Sequence, residues 1–453
     1  MRELARLLGD GALLTEVPAR YLVDATEGRG VRGRADALAL PSSPEDVAGV
    51  VAWCYEHDVA VVPRGGGTGL AGGAVPLDGG VVLSLERLDR IRSLEPALWR
   101  AEAEAGVTTA TLRRRARESG LLFGPDPGAA EQSQLGGNIA TNAGGPHAFK
   151  YGVTGAWVTG LEAVLAPGEL VRLGGAVRKD VAGYDLRALL TGSEGTLGVV
   201  TAAWLRLVPA PEARLPVAAF HADAGTGAAA VLRVMEAGVQ PAALEFLDAG
   251  ALRAAGGSYP GGAPAGAGFL VLAEADGASA EAERVQGELA ETLGPGAVRL
   301  DAPRAAKDVE ALWRWRDGVS LAVSAQRGGK VSEDIAVPLE HLAEAIAETV
   351  AIGARHGLEA LSWGHAGDGN LHSTFLVDPG DGGELDRARA AAAELFALAV
   401  RLGGTVSGEH GIGVVKRGAP GAQWDDGALR AHEAVKRALD PKGLLNPGKK
   451  TPR

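Results

Sequence analysis

The 453-residue sequence has only one cysteine, Cys54. A single thiol forms no disulfide within the chain and offers no thiolate cluster for a structural zinc ion. The surrounding segment VVAWCYEHD has the pattern of a helix that precedes a strand. We therefore expect Cys54 to be a buried and inert thiol.

Long apolar runs are also missing. No stretch approaches the ~20 apolar residues that a membrane-spanning helix needs, and the N-terminal MRELARLLGDGALL has no signal-peptide core. Acidic residues outnumber basic ones: 56 aspartates and glutamates against 45 lysines and arginines give a net charge of −11. The sequence predicts a cytoplasmic protein without direct membrane insertion and argues against a nucleic-acid surface.

Glycine, in contrast, is abundant: its 67 occurrences are about twice the usual share. Many lie in short runs, which indicates backbone that a ligand approaches closely. The length predicts two or three domains, and we find no internal repeat or heptad pattern. The pattern of helices, strands and glycine motifs changes near Pro209, and glycine motifs return in the last fifty residues. These changes predict three segments, 1–208, 209–405 and 406–453.

Several elements of the first segment follow from local pattern. Ser43, with an acid three residues later, predicts the N-terminus of a helix over Ser43–Asp58. TTATLRRRARESG predicts a second helix. Apolar runs predict strands over Ala37–Pro41, Val59–Pro63 and Gly80–Leu85.

The glycine loop PRGGGTGLAGG (Pro63–Gly73) has the glycine spacing of a dinucleotide-binding fingerprint, but we reject that match. Such a loop opens a crossover helix, whereas only AVPLDGG separates it from the strand at Val81, and Pro76 disfavours a helix. Its backbone N–H groups could instead surround an anion such as a pyrophosphate, with Arg64 nearby to supply charge. A flexible glycine turn is the alternative for this loop alone.

Three further segments weaken that alternative. GPDPG (Gly124–Gly128), QLGGNIATNAGG (Gln134–Gly145) and GYDLRALLTGSEGTLGVVT (Gly183–Thr201) are all small, polar and rich in exposed backbone. A cofactor that contacts backbone along much of its length explains four such segments better than four independent turns.

The ordered set PRGGGTGLAGG, GPDPG, GGNIATNAGG, KYG, GYDL and GSEGTLGVVT resembles the FAD-binding domain of the vanillyl-alcohol-oxidase/p-cresol-methylhydroxylase superfamily. Over roughly Leu40–Lys449 the chain resembles the branch with the glycolate oxidase flavin subunit, FAD-linked D-lactate dehydrogenases and D-2-hydroxyglutarate dehydrogenases. This implies an α+β fold: a two-subdomain FAD-binding domain of the p-cresol-methylhydroxylase type, an α+β substrate (cap) domain with an antiparallel sheet, and a C-terminal segment that returns to the flavin.

The resemblance also implies non-covalent FAD, with His147 a surface residue rather than an attachment point. Arg64 to Gly69 would then surround the pyrophosphate, and later residues would hold the rest of the cofactor. The residues expected to bind FAD are Arg64, Gly65, Gly66, Gly67, Thr68, Gly69, Pro125, Asp126, Ser133, Gly137, Asn138, Thr141, Ala143, Gly144, Glu194, Gly195, Thr196 and Val200.

LSWGHAGDGNLHSTFLV (Leu361–Val377) predicts a β-hairpin, because the dipeptide DG is a strong two-residue turn signal. With Asp368-Gly369 as the turn, His365 and His372 stand directly opposite on one face. Two imidazoles so placed can share a metal ion. Packing or surface histidines are the alternative.

Glu409 in SGEHGIG offers a third ligand, which leaves the open coordination position typical of a catalytic metal. We expect the neighbouring His410 to point elsewhere and to act as a base. The resemblance implies the same roles and expects a divalent metal, zinc first, with manganese or iron as alternatives. It also implies that Asn370 contacts the substrate.

Arg316 could hold a carboxylate through a bidentate fork, although a solvated helix arginine is the alternative from sequence alone. The resemblance implies the carboxylate role, with the Ser320 hydroxyl four residues later. Some relatives have a lysine where this chain has Ser332, and Lys330 lies two positions earlier. That departure leaves open whether the substrate carries a second carboxylate.

Together these features predict an FAD-linked D-2-hydroxy-acid dehydrogenase (EC 1.1 class) that passes a hydride to flavin N5 and yields a 2-keto acid. The resemblance implies an electron acceptor (a quinone, a cytochrome or an electron-transfer flavoprotein) or partner oxidase subunits, and leaves a homodimer open. Alternatives are the flavin subunit of a multi-subunit glycolate oxidase, a metal-dependent hydrolase without flavin, and an alkyl-glycerone-phosphate synthase with a lipid tunnel.

Overall fold

Residues 1–450 are described by the computed structural model, in which the chain forms two units. The first unit comprises residues 1–144, 152–210 and 409–450. The second comprises Gly145–Tyr151 and Pro211–Gly408. The chain therefore passes from one unit to the other four times, and the seven residues 145–151 belong to the second unit.

The strands are β1 (Leu13–Leu14), β2 (Ala37–Ala39), β3 (Val61–Arg64), β4 (Val81–Ser84), β5 (Ile91–Glu95), β6 (Arg100–Glu104), β7 (Leu121–Leu122), β8 (Val158–Leu165), β9 (Glu169–Gly174), β10 (Val199–Arg206), β11 (Val208–Pro209), β12 (Ala213–His221), β13 (Ala243–Asp248), β14 (Phe269–Gly277), β15 (Ala297–Asp301), β16 (Gly329–Ala336), β17 (Ala360–His365) and β18 (Asn370–Val377).

The helices are α1 (Arg2–Leu8), α2 (Pro44–Glu56), α3 (Thr109–Glu118), α4 (Leu135–Thr141), α5 (Ala148–Tyr151), α6 (Leu186–Leu190), α7 (Ala224–Glu236), α8 (Ala249–Ala255), α9 (Ser279–Leu293), α10 (Ala306–Asp317), α11 (Val319–Ala325), α12 (Leu342–Arg355), α13 (Gly382–Arg401), α14 (Pro420–Gln423) and α15 (Asp426–Leu439).

The first unit contains a four-stranded sheet of order β1-β2-β4-β3 and a five-stranded antiparallel sheet of order β5-β6-β10-β8-β9. Strands β3 and β4 are parallel neighbours, and residues 65–80 connect them without a helix. The absence of a crossover helix in this stretch confirms that the loop is no dinucleotide-binding fingerprint. The glycine loop itself makes the crossover.

Helix α2 begins as its sequence predicts. Ser43 is the N-cap, its hydroxyl accepts from the Asp46 N–H, and Asp46 completes a capping box that satisfies backbone donors at the helix start. Its apolar face is buried and includes Cys54, which has no exposed surface. Burial raises the pKa of the Cys54 thiol to about 12, so the thiol stays protonated at neutral pH.

The second unit is built on one seven-stranded antiparallel sheet of order β15-β12-β14-β13-β17-β18-β16. One face packs on α7, α9, α12 and α13, and the other packs on α8, α10 and α11. Because both faces are covered, strands such as β14 are nearly continuous apolar runs rather than alternating ones. The sheets and helices of the two units give the mixed α+β architecture that the sequence predicts.

A helix that crosses a membrane must be both long and apolar. Within residues 1–450, no helix is both long and apolar enough to cross a bilayer.

Candidate active site

The first unit contains a cleft with about 910 Å³ of empty space, part of it open to solvent. The glycine loop after β3 forms one wall, helix α4 forms another, and the segment 193–200 forms a third. His410 also lines the cleft. Among the residues expected to bind FAD, those that line it are Arg64, Gly65, Gly66, Gly67, Thr68, Gly69, Gly137, Asn138, Thr141, Glu194, Gly195 and Val200.

The walls are rich in glycine, and an added side chain would clash at one of these glycines and be crowded at another. A Cβ at Gly66 would lie 2.0 Å from the Gln132 carbonyl oxygen, and one at Gly65 would lie 3.3 Å from the Gly137 Cα. Gly67 has a φ of +70°, a conformation that glycine adopts at little cost. The backbones of the glycine loop and α4 thus lie close together.

The Arg64 guanidinium bonds to protein carbonyl groups. It donates to the carbonyl oxygens of Arg20 and Val23, each at 2.7 Å, and lies beneath the loop, where a Cβ at Gly67 would meet it at 2.0 Å. Its charge therefore braces the loop against the N-terminal segment.

Six of the expected FAD-binding residues are not part of this lining. Ser133 is buried and shares a hydrogen bond with the Thr109 hydroxyl at 2.8 Å. The segment that carries Pro125 and Asp126 has no regular structure. For the complete set Pro125, Asp126, Ser133, Ala143, Gly144 and Thr196, cofactor contact stays a prediction from the resemblance.

Glu194 has a role that the sequence did not indicate. Its carboxylate accepts from the N–H groups of Ile412 at 2.8 Å and Gly413 at 2.6 Å. Its own carbonyl accepts from Asn446 Nδ2 at 2.7 Å, which stabilises a left-handed φ of +56° that a non-glycine residue rarely adopts. Glu194 thus fixes the turn that follows His410.

The C-terminal segment reinforces the same wall. Asn446 Nδ2 also donates to the Gly73 carbonyl at 2.9 Å. The buried Lys449 ammonium donates to the Val75 carbonyl at 2.7 Å and to Asn446 Oδ1 at 2.9 Å. The tail LNPGKK therefore connects the glycine loop to Glu194.

Glu409 and His410 both belong to the first unit. The His410 Nε2 lies 3.8 Å from the Glu409 Oε1, so the two side chains are neighbours and do not diverge as strongly as expected. The Glu409 carboxylate lies over Gly144, where an added Cβ would meet its Oε2 at 2.5 Å. A glycine at 144 therefore leaves the room that this carboxylate occupies.

In the second unit, the histidine hairpin forms with a different register from the one expected. His365 pairs with Asn370, and His372 pairs with Trp363, so the predicted His365–His372 pairing is wrong. The cause is the turn: only Gly369 has a positive φ, +64°, whereas a type I′ turn needs two such residues. Ala366–Asp368 instead form a 3-10 turn, which lengthens the loop to four residues.

The two histidines nevertheless share a face of the sheet. A register change of two residues preserves the alternation of side chains, so His365 and His372 become diagonal neighbours. Their ring centroids are 5.2 Å apart, and one nitrogen of each ring lies within 4.8 Å of the other. That spacing is compatible with two imidazoles that bind one ion.

His365 and Arg316 converge on Glu245, a carboxylate that the sequence motifs did not single out. Glu245 has no exposed surface, its Oε1 lies 2.6 Å from the His365 Nδ1, and its Oε2 accepts from the Arg316 Nε at 2.8 Å and from Nη2. Burial opposes the charge, but Arg316 and His365 outweigh it and hold the pKa of this carboxyl at about 2. Its sequence signal was an acid inside the buried strand ALEFLD.

The segment before Glu409 lies beside Asn370, the first residue of the second hairpin strand. Asn370 Nδ2 donates to the Ile335 carbonyl at 2.8 Å, and an added Cβ at Gly408 would meet that nitrogen at 2.3 Å. Ser407 donates to Asp334 at 3.2 Å. Strand register places Asp334 opposite His372.

The residues expected near a second carboxylate are arranged around Trp363. Lys330 Nζ lies 4.8 Å from the Trp363 ring centroid and donates to the Ser320 carbonyl at 2.7 Å. Burial lowers the pKa of Lys330 to about 8. Ser332 accepts from Thr374 at 2.8 Å.

His147, expected at the surface, is buried. Its Nε2 lies 2.8 Å from the Glu274 Oε1, because residues 145–151 belong to the second unit and pack on β14. That expectation is wrong.

The comparisons with known proteins agree with this geometry. The family model "FAD linked oxidases, C-terminal domain" matches residues 210–450, and "FAD binding domain" matches residues 35–174. Glycolate oxidase subunit GlcD of Bacillus subtilis (strain 168) is 37% identical over 415 residues, which cover 91% of this chain and 88% of that protein.

Two other relatives are dehydrogenases. A D-lactate dehydrogenase of Anaerostipes hadrus is 35% identical and covers 92% of this chain and 90% of its own length. A D-2-hydroxyglutarate dehydrogenase of Xanthomonas citri pv. viticola is 36% identical, with coverage of 91% and 88%.

The fold is shared more widely. Substrate-bound p-cresol methylhydroxylase superposes with a TM-score of 0.82 at 20% identity and covers 99% of this chain and 95% of that one. The fold is therefore that of the p-cresol-methylhydroxylase type. The chain belongs to the FAD-linked oxidase family, in the group that includes D-lactate dehydrogenase, D-2-hydroxyglutarate dehydrogenase and the GlcD chain of glycolate oxidase.

Proposed function

We propose that this protein oxidises a small D-2-hydroxy acid to the corresponding 2-keto acid, with FAD as the hydride acceptor and a divalent metal ion at the histidine pair. The observation that carries this proposal is the pair itself: two imidazoles on one buried sheet face, one of them oriented by a carboxylate that also engages Arg316.

The cleft of the first unit fits FAD. Glycine lines much of it, and a loop of glycines can bring its backbone N–H groups to an anion such as a pyrophosphate without a Cβ in the way. A Cβ at Gly66 would collide with backbone. When bound, FAD supplies the two-electron redox chemistry, while the protein provides position and polarity. The residues proposed to hold it are the twelve that line the cleft.

The second unit fits a divalent metal. The carboxylate of Glu245 can only accept, so the His365 Nδ1 must donate to it, and this directs the ring's other nitrogen away from Glu245. Imidazole nitrogens suit zinc and related divalent metals, and such an ion supplies Lewis-acid polarisation of a hydroxyl oxygen.

Glu409 is the proposed third ligand. Gly408, the residue before it, packs on Asn370, and Ser407 and Thr405 bond to β16. The covalent chain thus leaves the second unit beside the histidine strands, and Glu409 is its next residue. A two-histidine, one-carboxylate set leaves positions for substrate.

The chain's own groups then have defined tasks. Arg316, held in orientation by Glu245, binds the substrate carboxylate through a charge-assisted hydrogen bond. His410 takes the hydroxyl proton at an imidazole nitrogen while the Cα hydrogen leaves with its two electrons, and a C=O bond forms. Asn370 helps to orient the substrate.

The decisive experiment is anaerobic reduction of the bound flavin. D-lactate, glycolate, D-2-hydroxyglutarate and the L-enantiomers are added to purified holoprotein, and loss of the visible flavin absorbance is followed. We expect bleaching by at least one D-2-hydroxy acid or glycolate and little by the L-acids. Indifference to all of them contradicts the proposal.

Metal removal tests the second half of the proposal. Because Lewis-acid assistance is worth several kcal/mol, chelation should slow bleaching by roughly 10²- to 10³-fold. Zinc, manganese or cobalt should restore the rate, and the flavin content should not change. Full activity after thorough removal of metal would exclude the metal role.

A flavin subunit of a multi-subunit oxidase is the second candidate, since the chain is 37% identical to a glycolate oxidase subunit. In that case partner subunits would take electrons from the reduced flavin. A chain that acts alone would pass them to a quinone, a cytochrome or an electron-transfer flavoprotein. Bleaching without turnover by the isolated chain, and turnover only with co-expressed partners, would favour it. The flavin-free hydrolase leaves the glycine cleft unexplained.

A further inference from the structure

Glu245 lies in the middle of β13 and is fully buried within the second unit. It pairs in register with His365 of β17. Each of its two carboxylate oxygens has a different partner: Oε1 has the His365 Nδ1 at 2.6 Å, and Oε2 has the Arg316 guanidinium. A single buried group therefore contacts both a proposed metal ligand and the proposed substrate-binding arginine.

This arrangement is more than neutralisation of charge. A buried ion pair adds little net stability compared with well-packed apolar residues, and one cation would be enough to pair one carboxylate. Here Glu245 also fixes which nitrogen of His365 carries the proton, and Arg316 reaches it with two adjacent donors, Nε and Nη2. Both partners thereby lose rotational freedom before any ligand binds.

We propose that Glu245 is a positioning residue that orients the metal ligand His365 with one oxygen and the substrate-binding Arg316 with the other. Metal affinity and affinity for the substrate carboxylate then depend on the same side chain. This inference rests on the proposed function, because it assigns Glu245 to the metal and carboxylate sites named there.

The second unit offers a matched control. Glu274 in β14 is also almost fully buried, with 1% of its side chain exposed, and it also contacts a histidine and an arginine: His147 at 2.8 Å and Arg214 at 4.0 Å. Glu274→Gln removes a buried carboxylate of the same type from the same sheet. It leaves His365 and Arg316 untouched.

The test uses the FAD-loaded protein after chelation, titrated with Zn²⁺ by calorimetry and with Co²⁺ by its visible absorption. Loss of a carboxylate that orients a metal-binding histidine typically costs roughly 10- to 100-fold in metal affinity. We expect that loss in Glu245→Gln and none in Glu274→Gln. At saturating metal, Glu245→Gln should also have a raised KM for the hydroxy acid.

A second measurement needs no variant. In metal-free wild-type protein, ¹⁵N NMR of the histidines should show His365 as the tautomer with the proton on Nδ1. This result stands even if Glu245→Gln does not fold, and a proton on Nε2 alone overturns the proposal.

The outcomes separate the two proposals. Wild-type protein that binds neither Zn²⁺ nor Co²⁺ overturns the metal role and the role of Glu245 together. Wild-type protein that binds metal, with Glu245→Gln unchanged in both metal affinity and KM, overturns only the role of Glu245. A variant that loses thermal stability but keeps both affinities also overturns it, because Glu245 would then be structural.

Discussion

The two units build binding surfaces in opposite ways. The first unit offers mainly glycine-rich backbone: its cleft is walled by the glycine loop, helix α4 and the segment 193–200, and the one charged side chain of the loop, Arg64, bonds to carbonyl groups of the N-terminal segment. The second unit presents side chains: His365 and His372 stand on one face of its sheet, and Arg316 of helix α10 reaches the same buried carboxylate as His365.

The difference matters because each kind of surface fails in a different way. A backbone surface is damaged when atoms are added, since a new Cβ occupies the space of the ligand. A side-chain surface is damaged when atoms are removed, since a partner is left unpaired in a buried place. Substitutions can therefore separate cofactor binding from chemistry.

His410 gives the largest expected effect and is the exception within the first unit, because it contributes a functional side chain to a backbone cleft. His410→Ala should keep FAD bound yet slow flavin reduction by substrate by roughly 10²- to 10⁴-fold, the usual contribution of a placed base. Stopped-flow absorbance at saturating substrate measures it. A variant with the wild-type rate would remove His410 as the base.

The sequence predicted the first unit better than the second, for the same physical reason. Glycine motifs report directly on backbone geometry, so the loop without a helix and the capped α2 could be predicted locally. The partners of Arg64 and Glu194 could not be predicted. They are carbonyl and N–H groups remote in sequence, and no residue type marks such a contact.

In the second unit, side-chain positions depend on pairing register. The dipeptide Asp368-Gly369 suggested a two-residue turn, but the 3-10 turn of the structure moved the pairing by two residues. The histidines still share a face because sheet alternation has a period of two. A change of one residue would have separated them. Glu245 lies on a different strand, β13. Its contact with His365 follows from the order of the strands in the sheet, which the sequence motifs do not give.

Gly69 offers a direct test of the backbone cleft, with a smaller expected effect. A Cβ at Gly69 has only the Asp24 carboxylate near it, at 3.9 Å, so Gly69→Ala should not disturb the folded apoprotein. If FAD lies against this loop, the added methyl group costs about 1–3 kcal/mol, which is roughly a 5- to 150-fold rise in Kd.

Flavin fluorescence titration of apoprotein measures that Kd, and thermal unfolding of the same samples checks the fold. Gly28→Ala is the matched control, because a Cβ there meets nothing within 4 Å and Gly28 lies outside both the cleft lining and the four glycine segments. Equal FAD affinity in wild type and Gly69→Ala would mean that the cofactor does not contact this part of the loop.

Glu194→Gln gives the smallest expected effect. It tests whether the Glu194 side chain positions His410, the proposed base, or instead contacts the cofactor. The amide keeps the size of Glu194 but replaces one acceptor with a donor, so the N–H group of Ile412 or Gly413 loses its partner. Since an unpaired buried N–H costs about 1–3 kcal/mol, the turn after His410 should shift.

A displaced base should lower the flavin reduction rate by about tenfold without a change in FAD affinity. If FAD affinity falls and the reduction rate of the loaded enzyme does not, Glu194 contacts the cofactor and the first unit is a backbone site with one ligand-binding side chain.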